Sequence, residues 1–561
     1  MTLTALSPWA ASDTSELAGL SPRLDTLNGK TIGMFGDFMI SATYMLKAVE
    51  QELHRRYPDA SFSYIMYETE TVQIEKDSNF QPRFDAWLEG VDCVLSFFGS
   101  VPSSSLYLGY NSAYMEKKGK PTVMALAPRT VPAGLRGVKA KGVPALRTVE
   151  IEAVLGIYSE DGEEAAIQKM APHVEKLTDD IVEALTAPLT EEERSLPRPD
   201  QHYAEDLITG TPQEISRIFY RCGWTNGRPI NIPTREAVDE ILQGTDLPPD
   251  HIVGYLPPKM GVATVEKIAV NAVMAGCLPT YLPVLIAAIQ AALDDRICLE
   301  GWTCSQSTWG PVLTVSGAVA DDIGLNTGDN ALSPYYRANA TIAQAWGYIM
   351  MNIAGLRPGI EDLSEMGHEN RMGLCIGDSR KNDPWGPLHT EFGFDREDSA
   401  VTVFWPQNHQ AISARSIPGF LEELCKINPY GWDPGMEIVF TPKAAKMFAD
   451  AGWSRKRIID YIVEYARRPA SEVDLGWLKG NSHPADSVDF PEVMTHSTRI
   501  FWTSDHMFAI VAGGQAGPMI TVFGGGGDHG GPACAKVQLP ENWEILREKY
   551  ADEAVPDYIA Y

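Results

Sequence analysis

Between Lys30 and Leu185 short apolar runs alternate with segments of helical spacing, and this alternation limits the fold more than any other feature of the chain. Residues 30–38, KTIGMFGDF, read as a strand ending in a Gly-Asp turn, and Ala42 to Tyr57 as an amphipathic helix. Ser61 to Tyr67, Cys93 to Phe98, Pro121 to Ala127 and Leu146 to Ile151 read as four further strands, with helices at Phe84 to Gly90 and Glu163 to Leu185. Parallel strands need a long crossover between them, and helices supply it. The spacing therefore predicts an α/β unit with a parallel sheet, flavodoxin-like or Rossmann-like.

A chain of 561 residues is too long for one core. A Ser/Thr/Ala-rich arm is expected over residues 1–27, the α/β domain over 28–188, a proline- and charge-rich linker over 189–204, and a larger domain over 205–561. In that second domain helical patterns at 235–242, 263–276, 282–293 and 339–353 do not alternate regularly with the strand-like runs at 400–405, 437–440, 507–512 and 519–523. It reads as α+β.

Charge narrows the partners. Forty-six Lys and Arg against 74 Asp and Glu give a net charge of -28, which repels phosphate backbones and anionic lipid surfaces. Neither nucleic acid nor membrane is expected as a partner, and the most apolar run, 281–293, is far shorter than the roughly 20 residues a membrane helix needs. No basic segment precedes an apolar stretch at the N-terminus, and the eight cysteines form no CxxC pair, so reduced thiols in a cytoplasmic protein are expected.

The third strand runs into a Gly/Ser/Pro turn, Gly99-Ser100-Val101-Pro102-Ser103-Ser104, then a helix, then Glu116-Lys117-Lys118-Gly119-Lys120-Pro121-Thr122-Val123. This segment resembles the turn of the UGSC family of thiol and selenol proteins, in which selenocysteine or cysteine, glycine, serine and a second cysteine precede a helix ending in Glu-Lys-x-Gly-x-Pro-Thr-Val. The resemblance implies a redox turn, but Val101 and Ser104 stand where the redox atoms would be, so a thiol–disulfide step at this turn is ruled out. Ser100, Ser103 and Ser104 at a helix start, with Gly36-Asp37 nearby, instead suggest an anion cradle; a Ser-rich N-cap fits the same residues.

Much of residues 230–520 is similar to stand-alone bacterial proteins of the same UGSC context, through Thr264 to Cys277, Arg337 to Ile342, Pro384-Trp385 with Pro387-Leu388-His389, and Ala512 to Gly517. The likeness implies relatedness of fold and carries no reaction with it. Candidate chemistry comes from the residues themselves. His389, on a Pro-bracketed loop with Glu391 two residues on, is the leading acid/base candidate. Cys277 closes a helix that carries Glu266, Lys267 and Asn271 in an apolar stretch, and polar groups there need partners. Asn330, Tyr336, Arg337 and Asn339 form an amide- and aromatic-rich stretch in which Arg337 could hold a carboxylate in two-pronged fashion. His368 with Cys375, and Asp528 with His529 in a glycine-rich loop, are weaker candidates.

With no redox turn, no nucleotide fingerprint and no compact metal spacing, the expected activity is a lyase or hydratase. It would act at a carbon–heteroatom bond of a small anionic substrate by acid/base chemistry, without a cofactor or metal. The alternatives are a thiol oxidoreductase working through Cys277 and Cys375, and a non-catalytic binding or scaffold subunit. Self-association into a homo-oligomer is allowed.

Overall fold

A computed structural model describes residues 2–12, 15–36, 40–67, 73–99, 101–151, 163–194, 207–427, 434–469, 497–501, 503–525 and 530–556. After β1 (Leu3–Leu6), the strands β2 (Thr31–Gly36), β3 (Ser61–Met66), β4 (Cys93–Gly99), β5 (Thr122–Leu126) and β6 (Thr148–Glu150) form one parallel sheet in the order β3-β2-β4-β5-β6. Counted within this sheet the order is 2-1-3-4-5, which is the flavodoxin-like arrangement. The helices α1 (Ile40–Arg56), α2 (Gln81–Glu89), α3 (Pro102–Lys117), α4 (Val131–Ala140) and α5 (Glu163–Thr186) make the connections. The order of strands reverses between β2 and β4, so the turn from β4 into α3 lies at the switch point of the sheet.

Helix α4 escapes a reading by pattern because VPAGLRGVKA carries two glycines, which weaken a helix in isolation. Its packing explains them. A Cβ at Gly109 of α3 would lie 2.4 Å from the Gly134 carbonyl oxygen, and one at Gly137 would lie 2.3 Å from the Leu106 carbonyl oxygen. Only glycine lets the two helices approach this closely.

Glu116, in the motif that ends α3, is buried at 2% exposure. It accepts from the backbone N–H groups of Ser21 (2.6 Å) and Thr122 (2.8 Å) and pairs with Arg23 at 3.2 Å. One carboxylate thus joins the arm, the end of α3 and the start of β5, and its role there is structural.

Beyond α6 (Glu191–Arg194), which packs beside the parallel sheet through Glu193 and Arg147, the second region contains β7 (Leu207–Gly210), α7 (Pro212–Arg221), α8 (Arg235–Leu242), a hairpin of β8 (Ile252–Leu256) and β9 (Gly261–Thr264), then α9 (Val265–Ala275), α10 (Leu282–Ala292) and α11 (Leu299–Cys304). Its centre is two four-stranded mixed sheets. β10 (Val312–Ser316), β11 (Leu374–Gly377), β12 (Ala400–Phe404) and β19 (Ala533–Lys536) form one, ordered β11-β10-β12-β19. β13 (Asn408–Ser413), β14 (Gly435–Phe440), β17 (Met507–Val511) and β18 (Met519–Gly525) form the other, ordered β13-β18-β14-β17, and β15 (Arg467–Pro469) with β16 (Ser497–Arg499) adds a small antiparallel pair. Between these strands lie α12 (Ala318–Asp322), α13 (Arg337–Asn352), α14 (Ile417–Lys426), α15 (Pro442–Asp450) and α16 (Arg455–Tyr465).

The two-residue alternation of strands stacks these elements into four layers. Leu313 and Val315 of β10 pack with α9, α10 and α13, whereas Val312 packs with Ile376, Phe404, Val439, Phe508, Ile510 and Phe523 from both sheets. Met436, Ile438 and Phe440 of β14 turn away from that inner layer, toward α14, α15 and α16. The two sheets therefore face each other with helices outside. No helix among the described residues is long and apolar enough to cross a membrane.

The arm belongs to both regions. β1 pairs antiparallel with β7, Val262 donates to the Ala11 carbonyl at 2.8 Å, and Leu6 donates to the Pro233 carbonyl at 2.8 Å. Farther on, Ala18 and Leu20 donate to the carbonyls of Gly142 and Glu193 beside the parallel sheet.

Candidate functional site

Ser316 and Asp378 stand at the C-terminal ends of the parallel neighbours β10 and β11, on the parity that faces the inner layer. Ser316 is followed by Gly317, whose φ of 105° turns the chain into α12, and a Cβ at Gly317 would come within 2.5 Å of the Asp398 carbonyl oxygen. The Ser316 hydroxyl lies 3.1 Å from Asp378 Oδ2 and 2.9 Å from His389 Nδ1. Asp378 also accepts from the backbone N–H groups of Leu388 (2.8 Å) and Val511 (3.2 Å), so it ties the two sheets together. Ser316, Asp378 and His389 are all buried.

These contacts determine a direction for the hydrogen bonds. A carboxylate can only accept, so the single Ser316 proton goes to Asp378 and His389 Nδ1 must donate to the Ser316 oxygen. The proton on Nδ1 leaves Nε2 with the lone pair; Nε2 is buried, makes no direct hydrogen bond among the described residues, and faces the backbone of Asp395 and Arg396. Burial holds the His389 pKa below its usual value, opposed by backbone groups of Asp395 and Arg396 and by Asp378, which favour the charged ring. The neutral ring is thus a base whose protonated form has favourable neighbours already in place.

Four more ionisable groups lie near these three residues. Burial, and next the charge of Asp378, push Asp383 up to about 8 against the pull of Arg455, whose guanidinium contacts it. Arg455, 2% exposed at the start of α16, also donates to the Gly386 carbonyl at 2.8 Å and to Glu391 Oε1 at 3.2 Å. Glu391, with its side chain 40% exposed, is the member that opens to solvent. Deeper between the sheets, Glu437 accepts from Thr314 Oγ1 at 2.6 Å, and burial pushes it up to about 8. Among the described residues no group of three or more His, Cys, Asp and Glu is arranged to hold a metal ion.

The residues singled out in the sequence fall into separate places. His389 and Glu391 share one short helical turn, but the carboxylate that orients His389 is Asp378, acting through Ser316, while Glu391 pairs with Arg455. Cys277, Cys375, Arg337 and Asn339 lie on the helical side of the first sheet: Cys375 packs with α9 and α13, whereas its neighbour Ile376 faces the inner layer. Cys277 donates to the Thr341 carbonyl at 3.4 Å, and burial pushes its thiol up to about 12; burial raises Cys375 as well. Arg337 pairs at the surface with Glu553 at 2.8 Å. Asn339 spends both ends of its amide on backbone, accepting from Asn326 N–H and donating to the Cys375 carbonyl. Tyr336 is the N-cap of α13, and Asn330 is an exposed residue with φ of 60°.

The polar residues of α9 have structural partners. Glu266 pairs with Arg235, Lys267 donates to the Ser7 carbonyl at 2.8 Å, and Asn271 donates to the Pro8 carbonyl at 3.3 Å. At the switch-point turn Ser103 and Ser104 are buried, and the hydroxyls of Ser104 and Ser105 donate back to the Val101 carbonyl instead of projecting as an anion cradle. His368 packs against Gly310 and Glu369. Asp37, Ser100, Asp528 and His529 lie outside the described residues.

Sequence reasoning passed over Ser316, Asp378, Asp383, Glu437 and Arg455. A signal was present for two of them: VLTVS-Gly and LCIG-Asp-Ser are apolar runs ending in a small or acidic residue, the same signature that marked Gly36-Asp37.

A flavodoxin-like parallel sheet followed by two facing mixed sheets makes this a mixed α/β protein. Residues 4–180 match the model of the UGSC family, a stretch that begins inside β1, takes in the whole parallel sheet and ends within α5. No curated protein matches the chain.

Proposed function

We propose that the chain is an enzyme of the lyase or hydratase class, acting at a carbon–heteroatom bond of a small anionic substrate. The observation that carries this reading is the hydrogen-bonded series Asp378, Ser316, His389, which ends on a basic nitrogen with no direct hydrogen bond among the described residues. In an elimination, His389 Nε2 takes the proton next to the substrate's carboxylate as the double bond forms. Asp383, raised toward neutral pH, returns a proton to the departing heteroatom, and Arg455 offers a cation near the same carboxyl groups. Acid and base are both side chains, so the reaction as drawn needs no cofactor.

The sulfur alternative has less in its favour, since Cys277 and Cys375 are buried and held as thiols at neutral pH. The two readings separate in one experiment. Purified protein is incubated in D2O with a panel of small hydroxy, amino and unsaturated carboxylates, and exchange of the carbon-bound proton is followed by 1H NMR. We expect exchange with at least one compound, lost on the order of a hundredfold or more in His389→Gln and kept in Cys277→Ser. The reverse pattern moves the chemistry to sulfur. No exchange with any compound overturns the lyase reading in favour of a binding subunit.

A further inference from the structure

The parallel sheet meets the second region along one seam, where α3 and α4 face α11 and the turn at 357–361. Leu106, Tyr107 and Tyr110 of α3 form a small cluster with Cys304, and the Cys304 thiol lies 3.9 Å from the Pro102 carbonyl at the start of α3. Tyr107 Oη is 2.8 Å from Cys298 Sγ and 3.4 Å from Glu300 Oε2. Arg136 of α4 reaches across, donating to the Ile360 carbonyl at 2.7 Å and lying 3.5 Å from Glu361.

Two polar atoms at this seam have no hydrogen-bond partner among the described residues, although the Lys141 ammonium lies 5.2 Å from the Tyr110 ring. The Tyr110 hydroxyl is buried without a hydrogen bond in a residue 3% exposed, and so is Nη1 of Arg136. They belong to one place. Tyr110 follows Gly109 and Arg136 precedes Gly137, the two glycines at which α3 and α4 cross, and Cys304 is an electrostatic neighbour of both side chains. Glu300, half-buried, has its carboxylate held among the described residues by long contacts of 3.4 Å from Gln73 and Tyr107, and is also a neighbour of Tyr110. Burying an unpaired donor is costly, and a ligand that accepts from it removes the cost.

We propose that this seam is a binding site for a small zwitterion of the amino-acid class, its carboxylate accepting from Tyr110 Oη and Arg136 Nη1 and its ammonium facing Glu300. A simple carboxylate would satisfy the two donors but meet the Glu300 charge unpaired; a zwitterion satisfies both sides. Cys298, Glu300 and Arg136 are each half-buried. This site is separate from the His389 cluster and does not depend on the reaction proposed there.

The test is thermal denaturation of the full chain with each of the twenty L-amino acids, propionate and ethylamine, followed by calorimetric titration of whichever amino acid stabilises it. At least one amino acid should raise Tm in a saturable way, with propionate and ethylamine weaker by tenfold or more. Tyr110→Phe and Arg136→Met should each weaken binding at least tenfold, and Glu300→Gln should narrow the gap between amino acid and propionate. Tyr281→Phe, which removes another buried unpartnered hydroxyl, should leave binding unchanged and controls for folding effects. The proposal fails if no amino acid stabilises the protein, if propionate binds as tightly as the amino acid, or if Tyr110→Phe stabilises the free protein while leaving affinity unaltered.

Discussion

Ser316 shows how much a single hydroxyl can decide. Its one proton, directed to Asp378, sets the tautomer of His389 and so determines which ring nitrogen is free to act. Glu437 gives the clearest pH test, because among the described residues its one hydrogen bond comes from Thr314, and beside it lie the apolar inner layer and the Asp378 charge. Burial raises its folded pKa to about 8, above roughly 4 for an unfolded carboxyl. The folded state therefore binds the extra proton, so the contribution of Glu437 to stability is complete below about pH 4 and is lost as pH rises through 8. Glu437→Gln keeps a neutral, hydrogen-bonding side chain at every pH. Melting curves from pH 5 to 9 should show the variant close to the native protein at pH 5, gaining on it up to about pH 8 and levelling off beyond; parallel curves would mean that Glu437 is not protonated in the fold.

Among the elements, the α3–α4 pair is the most demanding of its sequence. Backbone oxygens sit where a Cβ would stand at Gly109 and Gly137, so no rotamer change can make room. Gly109→Ala should destabilise the parallel-sheet region by about 1–3 kcal/mol, the usual scale of overpacking, whatever alanine adds in helix propensity. Urea denaturation of the variant measures this, and an unchanged midpoint would show that the helices separate at no cost. The same crossing positions Tyr110 and Arg136, so the variant also ought to disturb the seam facing α11.

At the scale of the whole molecule, the start of the arm is built into the second region. Residues 2–12 supply β1, backbone acceptors for Lys267, Asn271 and Val262, and the site of Lys259, whose ammonium donates to the Ala10 carbonyl at 2.8 Å and lies 3.5 Å above the Trp9 ring. Burial already pulls Lys259 down to about 7. Removing residues 2–12 strips these partners from buried donors, at about 1–3 kcal/mol for each one left unsatisfied. Hydrogen exchange should then rise at 207–210 and 261–271, while β2 to β6 keep their protection. Equal loss of protection in both regions would mean that they unfold as one unit.

The parallel sheet was legible in the sequence because its strands are short, apolar and separated by helices, a local pattern that sterics and chirality turn into one topology. KTIGMFGDF became β2, Cys93 to Phe98 became β4, and Glu163 to Leu185 became α5, each to within a few residues. Helix α4 was not legible, because its glycines answer to a neighbouring helix and not to its own stability. The strand order 2-1-3-4-5 and the face-to-face sheets likewise depend on contacts distant in sequence. His389 and Glu391 stood out as residue types on a loop, yet what the histidine can do rests on Ser316 and Asp378, 73 residues before it and 11 residues before it. Local pattern determined which segments are strands and helices. Only the tertiary structure decided which side chains leave water together, and with it which carboxyl keeps its proton and which nitrogen keeps its lone pair, because desolvation acts on a group through everything packed around it.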